Sequence, residues 1–394
     1  MSSIEVHSSQ LKNGVLLIAP FCPANRGGLA ALGGAAKISA VIQGMRENDF
    51  DVLLINSGHQ LEKVRGTSVR RSKHGRQNCI EVEPLTIRKR NIGKLLQCFL
   101  APLIMVRIIY KWKPKYVWIY NPYLFEVICL CTGKLLKTNL VTILELEDLP
   151  NSRQRKGTGI IKSFLDSLAL KVALMIVNGV TVVQRQMCDA KGSRRLIWYL
   201  PVLLGHIEIN PATTQSPIRI GYFGGLEVEK GVDVLIDLIR ATQASHQWIV
   251  CGSGSLKYKL EMTAREFSDR FTFLGCVDDQ RFKAVYCQVN AIINLHKPIE
   301  AFSAGIFPYK LLEAVAHGKI VLSTPMLGCP DQVKDAIYWL EGDPLQAGLN
   351  AVAIVEEIEM KLRPARIEAQ KWVLANYSSR NAIGRIFHDL QSAT

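Results

Sequence analysis

A lysine stands directly before a predicted helix in the segment from Gly221 to Gly231, behind a strand that ends in Gly224 and Gly225. This lysine is Lys230, and the residues that follow have the spacing of an amphipathic helix. An ammonium group and the N-terminal amides of a helix both stabilise negative charge, so together they suit a diphosphate. A solvated lysine before a helix is the alternative that this segment leaves open.

A carboxylate lies among apolar neighbours in a second segment, where the pattern predicts a helix over Pro308–Ala316 that closes at Gly318. The carboxylate is Glu313, and burying it without a partner would be costly. The sequence therefore predicts an internal partner or a ligand hydroxyl for Glu313. His317 is typical of a helix end, where the helix dipole favours a cation, rather than of a catalyst.

Glycine pairs follow two further predicted strands, as Gly27–Gly28 and as Gly252 with Gly254. Glycines let the backbone approach a ligand closely, but a structural turn explains either pair equally well. Asp49 and Asp51 have the spacing of a metal-binding pair. They precede a strand, however, and ligands bind at the carboxyl ends of strands in such sheets. We interpret the two aspartates as a solvated turn and predict no metal site.

The elements that must position these residues are short apolar runs alternating with segments of helical length. Such alternation predicts parallel sheets with helices on both faces. The predicted helices include Leu29–Arg46, Val232–Ala241 and Pro308–Ala316. The predicted strands are Val15–Ala19, Val52–Ile55, Ile80–Val82, Tyr116–Tyr120, Leu140–Leu144, Val180–Val183, Ile218–Phe223, Trp248–Cys251, Phe271–Leu274, Ala291–Leu295, Ile320–Ser323 and Ile337–Leu340.

The fold class expected is α/β, with two Rossmann-like, doubly wound domains that face one another across a cleft. We expect a first domain over residues 1–209, a polar linker over 210–217 and a second domain over 218–376. Residues 377–394 have apolar side chains at helical spacing, and Ser378 or Ser379 can cap that helix. This last helix is expected to return to the N-terminal domain.

The charge of the 394-residue chain is +14 and is unevenly distributed. Residues 1–200 carry 29 Lys+Arg against 13 Asp+Glu, a balance of +16, whereas residues 201–394 carry 19 against 21. A basic half beside a neutral half indicates an anionic partner for one domain, with a solvated basic face as the alternative.

Several classes of protein do not fit the composition. The ten cysteines show no zinc spacing and are typical of reduced thiols in a cytosolic protein. The first residues are polar, so no secretory signal is expected. The longest apolar stretch, Leu95–Tyr110, falls short of the roughly 20 residues that a membrane span needs. We expect a soluble or peripheral protein.

The order of motifs resembles the family-4, group 1 glycosyltransferases, which are nucleotide-sugar enzymes of GT-B fold. It runs from Gly224-Gly225-Leu226, with Glu229-Lys230-Gly231, through Gly252-Ser253-Gly254 to Phe273-Leu274-Gly275. It ends with Phe307-Pro308 and Lys310-Leu311, followed by Glu313 and Gly318-Lys319. The resemblance is good over residues 218–325. In the first half it rests on Gly27-Gly28, Tyr120-Asn121-Pro122 and Glu145-Leu146-Glu147-Asp148.

This resemblance implies a role for each candidate residue. Lys230 would face the diphosphate and Glu313 would bind the nucleotide ribose, and these two are the candidate catalytic residues. The backbone of Gly305, Ile306 and Phe307 would approach the sugar hydroxyls and the β-phosphate. The remaining candidates on the donor side are Gly27, Gly28, Gly224, Gly225, Gly254, Cys276, Val277 and Lys310, of which Cys276 and Val277 would border the base.

The implied reaction transfers a sugar with retention of its anomeric configuration, without an essential metal or a cofactor. The departing diphosphate would take the acceptor proton, and a fixed lysine with helix amides would stabilise the charge that develops there. The partners expected are a nucleotide sugar and a glycan or lipid-linked acceptor, with no nucleic acid.

Two departures from the family pattern bear on activity. Gly225 stands where the family commonly has an arginine, and Gly305 stands eight residues before Glu313 where the family has a glutamate. Lys310 could supply the missing cation, with a surface lysine as the alternative. Glu300 is a conceivable substitute for the missing carboxylate.

Three other functions compete with sugar transfer. A sugar-nucleotide epimerase would share the two-domain plan, and a silent nucleotide-sugar-binding protein is suggested by Gly225 and Gly305. A nucleic-acid binder is suggested by the basic half alone, since the sequence carries no recognised nucleic-acid-binding module.

Basic ends bracket the apolar stretch Leu95–Tyr110, with residues 88–94 before it and residues 111–115, including Trp112, after it. This pattern suits a helix lying among anionic lipid headgroups, and a buried Rossmann helix with solvated flanks is the alternative. The favoured interpretation is a protein on the cytoplasmic side, peripheral at the inner face of a membrane, with a lipid-linked or membrane-proximal acceptor.

Overall fold

The protein folds into two compact units in the computed structural model. The first unit comprises Met1–Val183, Met187–Gly205 and Ser379–Thr394, and the second comprises Gln184–Gln186 and His206–Ser378. The structure describes residues 13–21, 32–57, 68–72, 79–83, 90–147, 159–183, 195–205, 207, 218–243, 246–297 and 308–393. The expected linker, residues 210–217, lies outside them.

The first unit is built on an eight-stranded sheet. Its strands are β1 (Val15–Ala19), β2 (Val52–Asn56), β3 (Ser68–Ser72), β4 (Cys79–Glu83), β5 (Tyr116–Tyr120), β6 (Val141–Leu146), β7 (Gly179–Val182) and β8 (Leu196–Tyr199). The order across the sheet is β3-β4-β2-β1-β5-β6-β7-β8. All neighbouring strands pair in parallel except β3, which is antiparallel to β4. The central strands are wholly apolar and buried, as a sheet covered on both faces requires.

Five described helices belong to the first unit: α1 (Leu32–Glu47), α2 (Arg90–Trp112), α3 (Leu124–Leu136), α4 (Gly159–Ile176) and α12 (Ser379–Ala393). Helix α1 connects β1 to β2, its neighbour on one side. Helices α2, α3 and α4 connect strands in the opposite direction across the sheet, from β4 to β5, from β5 to β6 and from β6 to β7. Because such crossovers are right-handed, α1 covers one face of the sheet and the other three helices cover the opposite face.

The last helix, α12, packs against α1 on that first face. A Cβ atom at Gly44 of α1 would lie 2.3 Å from the Ser379 carbonyl oxygen, so the two helices touch where only glycine fits. Phe387 of α12 stacks on Phe50 with ring centroids 4.1 Å apart, and its ring lies 4.9 Å from that of Tyr116. The C-terminal residues thus complete the core of the unit that begins the chain.

The second unit is built on a six-stranded parallel sheet. Its strands are β9 (Arg219–Phe223), β10 (Gln247–Cys251), β11 (Phe271–Gly275), β12 (Ala291–Asn294), β13 (Ile320–Ser323) and β14 (Ile337–Trp339), in the order β11-β10-β9-β12-β13-β14. Its helices are α5 (Val232–Ala241), α6 (Lys257–Glu266), α7 (Asp279–Gln288), α8 (Tyr309–Ala316), α9 (Asp331–Lys334), α10 (Pro344–Ala353) and α11 (Val355–Tyr377), and a 3-10 turn spans Val228–Lys230.

The predicted strands are all present, with ends that differ by one or two residues. Two edge strands, β3 and β8, were not predicted. The sequence of β3, Ser-Val-Arg-Arg-Ser, has no apolar alternation by which a strand could be recognised. The side chains of β8 are only half buried, and its four residues give too short a period to recognise.

Candidate functional site

The candidate site lies at the carboxyl edge of the second sheet, where β9 and β12 end side by side. The chain leaves β9 through Gly224 and Gly225, forms the 3-10 turn that carries Lys230, and enters α5 at Gly231. Gly231 has a φ of 72°, and a Cβ atom there would lie 1.9 Å from the carbonyl oxygen of Leu295. Only glycine allows this contact, which holds the lysine-bearing turn against the end of β12.

Two further contacts fix the same turn. The backbone N–H of Lys297 donates to the carbonyl oxygen of Glu229 at 3.1 Å. The Lys297 ammonium forms an ion pair with Asp233 in the first turn of α5. These contacts therefore fix the position of the turn that carries Lys230. Its side chain is half-buried, and burial lowers the pKa of Lys230, an effect that the adjacent Glu229 carboxylate partly offsets.

A second lysine, Lys310, reaches the same place from the first turn of α8. Burial, reinforced by the Lys230 charge, lowers the pKa of Lys310 to about 7. Its ammonium lies 4.3 Å from the centre of the Tyr222 ring, a cation–π distance. The Tyr222 hydroxyl donates to the Gly225 carbonyl oxygen at 2.8 Å, so the ring under Lys310 is held in place. Lys230 and Lys310 are far apart in the sequence, but the fold makes them neighbours in space.

A histidine that sequence reasoning missed completes this basic cluster. His296 follows β12 directly, and its Nδ1 pairs with Asn294 Oδ1. Burial first, and then the charges of Lys310 and Lys230, lower the pKa of His296 to about 2, so its ring is neutral at physiological pH. Its position after a buried strand was the available signal, because ligands bind beyond strand carboxyl ends. A compact site with two ammonium groups and a neutral imidazole is suited to an anion with more than one charge.

Glu313 lies one helical turn after Lys310, on α8. Burial raises the pKa of Glu313 to about 7. Among the described residues, its carboxylate forms no hydrogen bond or ion pair. Tyr286 of α7 is nearby: burial raises its pKa well above the usual tyrosine value, and the Glu313 charge adds to this. The Tyr286 hydroxyl is buried and has no hydrogen-bond partner in the described part of the chain. An internal partner and a ligand hydroxyl both stay predictions for Glu313.

The glycines of the site differ in what surrounds them. A Cβ atom at Gly254 would lie 2.6 Å from the Leu226 carbonyl oxygen, and one at Gly252 would lie 1.9 Å from the Gly224 carbonyl oxygen. These two positions are filled by protein, which supports the structural-turn alternative for them. Gly225 instead faces open space, with no atom within 4 Å of its Cβ position.

The remaining candidate residues are placed as follows. Cys276 and Val277 follow β11 at the same carboxyl edge, and Cys276 is exposed. Gly27, Gly28, Gly305, Ile306 and Phe307, with Glu300, lie outside the described residues. Within the described ranges, no group of three or more His, Cys, Asp or Glu side chains could hold a metal ion.

The carboxyl edge of the first sheet carries a separate polar network. Lys37 of α1 is buried and pairs with Glu145 at 3.1 Å and with Glu147. The Trp118 indole N–H donates to Glu145 at 2.9 Å, and the Glu147 N–H donates to the Asn121 side-chain oxygen at 2.9 Å. Burial lowers the pKa of Lys37, whereas the Glu145 carboxylate opposes that shift. The network orients Glu147, the most exposed of its carboxylates, at the edge where a ligand of this unit would bind.

Comparison with known proteins agrees with this geometry. Residues 217–359 match the family model described as glycosyl transferases group 1, a range that contains the basic cluster and Glu313. No curated protein was found to match the chain by sequence.

Solved structures resemble the whole chain in fold. Sucrose-phosphate synthase from Thermosynechococcus elongatus has a TM-score of 0.64 at 16% identity, over 97% of this chain and 100% of that one. HepE from Anabaena, in complex with UDP, has a TM-score of 0.61 at 14% identity, over 96% and 100%. The lipopolysaccharide outer core galactosyltransferase WaaB has a TM-score of 0.58 at 14% identity, over 97% and 100%.

At these identities the likeness establishes the fold, and the predicted class of two Rossmann-like α/β units is confirmed. The second unit contains a glycosyl transferases group 1 domain, matched over residues 217–359, and the chain as a whole has the fold of its GT-B neighbours.

Proposed function

We propose that the protein transfers a sugar from a nucleoside diphosphate sugar to a glycan or lipid-linked acceptor, with retention of the anomeric configuration and without a metal. The observation that carries the proposal is the pairing of Lys230 and Lys310 at the carboxyl edge of the second sheet. Two partly buried ammonium groups placed side by side repel each other, and a diphosphate would relieve that repulsion. HepE, which has a similar fold, was solved in complex with UDP, and this supports a nucleotide as a ligand here.

In the proposed reaction the acceptor hydroxyl oxygen bonds to the anomeric carbon while the bond from that carbon to the diphosphate oxygen breaks. The acceptor proton passes to the departing diphosphate, so no protein base is required. Negative charge grows on the diphosphate as the bond breaks, and Lys230 and Lys310 stabilise it most in the transition state.

The other candidate residues have supporting roles in this proposal. Glu313 accepts hydrogen bonds from the ribose hydroxyls, consistent with a carboxylate that has no partner among the described residues. Cys276 and Val277 border the base. Gly27 and Gly28, with the backbone of Gly305, Ile306 and Phe307, approach the diphosphate and the sugar.

The location proposed is the cytoplasmic side of a membrane, to which the protein binds peripherally. The basic balance of the first 200 residues, +16, supports an anionic surface as the partner of that half. A lipid-linked or membrane-proximal glycan would be the acceptor that such a location presents.

A titration followed by an assay tests the donor and the reaction. Calorimetry with UDP, GDP and ADP in the presence of a chelator should detect binding of at least one nucleotide. Binding that requires Mg²⁺ or Mn²⁺ would contradict metal independence. A panel of radiolabelled nucleotide sugars, with and without membrane extract, then separates transfer from epimerisation and from silent binding. Proton NMR of the product's anomeric coupling reports retention or inversion.

A further inference from the structure

An unusual share of the exposed apolar side chains lies on three adjacent helices of the first unit. Of the twenty large apolar side chains that are exposed in the described part of the chain, twelve belong to α2, α3 and α4. The most exposed are Phe99, Leu103, Tyr110, Leu135, Phe164 and Met175, which are between 67% and 83% accessible. Single exposed apolar residues are ordinary, but a contiguous apolar surface marks an interaction site.

The three helices form one continuous layer. Helix α3 packs against α2 on one side and against α4 on the other, and all three cover the same face of the sheet. The inner side of α2 buries Ala101, Met105 and Ile108 in the core of the unit. Its outer side presents apolar residues at helical spacing, among them Phe99, Leu103 and Tyr110. The layer is therefore built into the domain and turns an apolar surface outward.

Helix α2 also has the composition of a membrane helix. Within the described residues, Lys94–Trp112 is the one helical stretch long and apolar enough to cross a bilayer, with a mean hydropathy of 1.5, and 28% of it is buried. Its packing against α3 shows that it is a Rossmann helix and does not span a bilayer in this fold. The core-helix alternative thus describes the inner side of α2, and the interfacial alternative stays a prediction for its outer side.

The charges around the layer are almost all positive. The described side chains of α2, α3 and α4 include five basic residues, Lys94, Arg107, Lys111, Lys134 and Lys171, against Glu126 and Asp166. Glu126 is buried, so it contributes no surface charge, and burial raises its pKa to about 7. Lys113 and Lys115, directly after α2, are exposed as well. Apolar side chains with basic residues beside them match a lipid surface that carries anionic headgroups.

We infer that the outer face of α2, α3 and α4 inserts into the headgroup region of an anionic lipid membrane. A second copy of the chain fits less well, because pairing two such faces would bring like charges together without neutralising them. A membrane supplies both the apolar boundary and the negative charge. The inference deepens the peripheral location proposed above, and it places three helices rather than one at the lipid surface.

Vesicle flotation of the full-length protein tests this surface. Wild-type protein should float with phosphatidylcholine vesicles that contain about one quarter phosphatidylglycerol, and not with phosphatidylcholine alone. The double substitution Phe99→Ser with Leu103→Ser should lower the partition coefficient at least about tenfold, and Leu135→Ser should lower it several-fold. Tyr258→Ser and Leu327→Ser remove equally exposed apolar side chains from the second unit, at 71% and 78% exposure, and should leave flotation unchanged.

The basic residues are tested separately. The triple substitution Lys111→Gln, Lys113→Gln and Lys115→Gln should weaken flotation and reduce its sensitivity to salt, since fewer charges are screened. Circular dichroism of every variant establishes that it is folded, and the exposure of the substituted residues makes unfolding unexpected.

Three results would overturn the inference. The first is wild-type protein that stays soluble with both kinds of vesicle. The second is a loss of binding in the second-unit variants as large as that in the α2 variant. The third is a dimer that forms without lipid and that the double substitution Phe99→Ser with Leu103→Ser dissociates. A UDP titration of the same samples keeps this inference apart from the proposed catalytic function. Normal UDP binding without flotation contradicts only the membrane surface, whereas flotation without UDP binding contradicts only the donor site.

Discussion

The residues that define the donor site are two lysines with lowered pKa values and a glutamate with a raised one. Each shift has burial as its main cause. Keeping such groups costs folding free energy, which proteins tolerate mainly at functional sites. Their roles can be separated by kinetics, because a group that acts on developing charge and one that holds the ribose affect different constants.

Replacing Lys230 by alanine should lower kcat strongly and change stability little. Loss of a charge that acts on the departing diphosphate costs about 3 kcal/mol in the barrier, or roughly a hundredfold in rate. Glu313→Gln should instead raise the donor KM, since the ribose is bound equally in the ground and transition states. Steady-state kinetics measure both. Lys257→Ala, at an exposed lysine of the same unit, is the matched control, and wild-type kinetics for Lys230→Ala and Glu313→Gln would refute the assignment.

Nucleotide binding should depend on pH through Lys310. Its pKa is about 7 in the free protein, so the ammonium is mostly protonated below pH 7 and mostly neutral above it. A bound diphosphate raises that pKa, so binding takes up a proton, and affinity falls by up to about tenfold per pH unit above pH 7. Calorimetry of UDP at pH 7.5 in two buffers of different ionisation enthalpy measures the uptake.

The variant Lys310→Met isolates this contribution from that of Glu313, which also titrates near pH 7. On binding UDP, the Lys310→Met protein should take up a smaller fraction of a proton than wild type. Its affinity for UDP should also fall less steeply at high pH. Equal proton uptake by the two proteins would show that Lys310 does not face the diphosphate.

The element that sets the geometry of the donor site is the turn between β9 and α5. Two constraints require glycine at Gly231. Its φ is positive, and the Leu295 carbonyl oxygen at the end of β12 leaves no room for a Cβ atom. Gly225, six residues earlier, has neither constraint: no atom lies within 4 Å of its Cβ position. The two glycines form a matched pair that distinguishes a structural glycine from one that is merely tolerated.

Gly231→Ala should lower the free energy of unfolding by more than about 3 kcal/mol, whereas Gly225→Ala should change it by less than about 0.5 kcal/mol. The reason is the overlap of the new methyl group with the Leu295 carbonyl oxygen, at 1.9 Å in the unrelaxed position. Urea unfolding monitored by circular dichroism gives both values. Similar stabilities for the two variants would mean that the turn relaxes freely, and Lys230 would then be less well fixed than described.

The molecule as a whole is organised so that the end of the chain completes its beginning. The apolar residues of α12 lie against α1 and the sheet of the first unit, and Asp389 accepts a hydrogen bond from the Trp198 indole at 2.8 Å. The second unit, which holds the proposed donor site, contains none of α12. Changes in α12 should therefore act on the stability of the first unit and leave nucleotide binding in place.

Phe387→Ala should destabilise the first unit by about 3–5 kcal/mol, because it removes a ring packed against Phe50, Tyr116 and Trp118. A two-stage urea transition is expected, in which the substitution shifts one stage and leaves the other unchanged, along with an unchanged Kd for UDP. Leu327→Ala, at a side chain 78% exposed in the second unit, serves as the control. A loss of UDP affinity in Phe387→Ala would show that α12 also supports the second unit.

Local pattern was enough to find the interior strands, most helices and the residues at strand ends. Buried parallel strands such as β1 and β5 are continuous apolar runs, and a strand end marks the ligand edge whatever the rest of the chain does. Lys230 was selected from the segment after a predicted strand, and Glu313 from its place among apolar neighbours in a predicted helix; the roles of both stay predictions. The edge strands β3 and β8 were missed because a strand with one solvated edge leaves little periodic signal in its sequence.

What depends on long-range packing was decided by the tertiary structure. Lys310 lies beside Lys230 and His296 because β9, β12 and α8 meet at one edge, and no spacing along the chain expresses that distance. The space at Gly254 is filled by the Leu226 carbonyl oxygen, whereas Gly225 is open, although both glycines read alike in the sequence. Helix α2 is apolar on both sides, and only its packing against α3 shows which side is covered and which remains exposed. Composition records how apolar a residue is, and the fold determines what covers it.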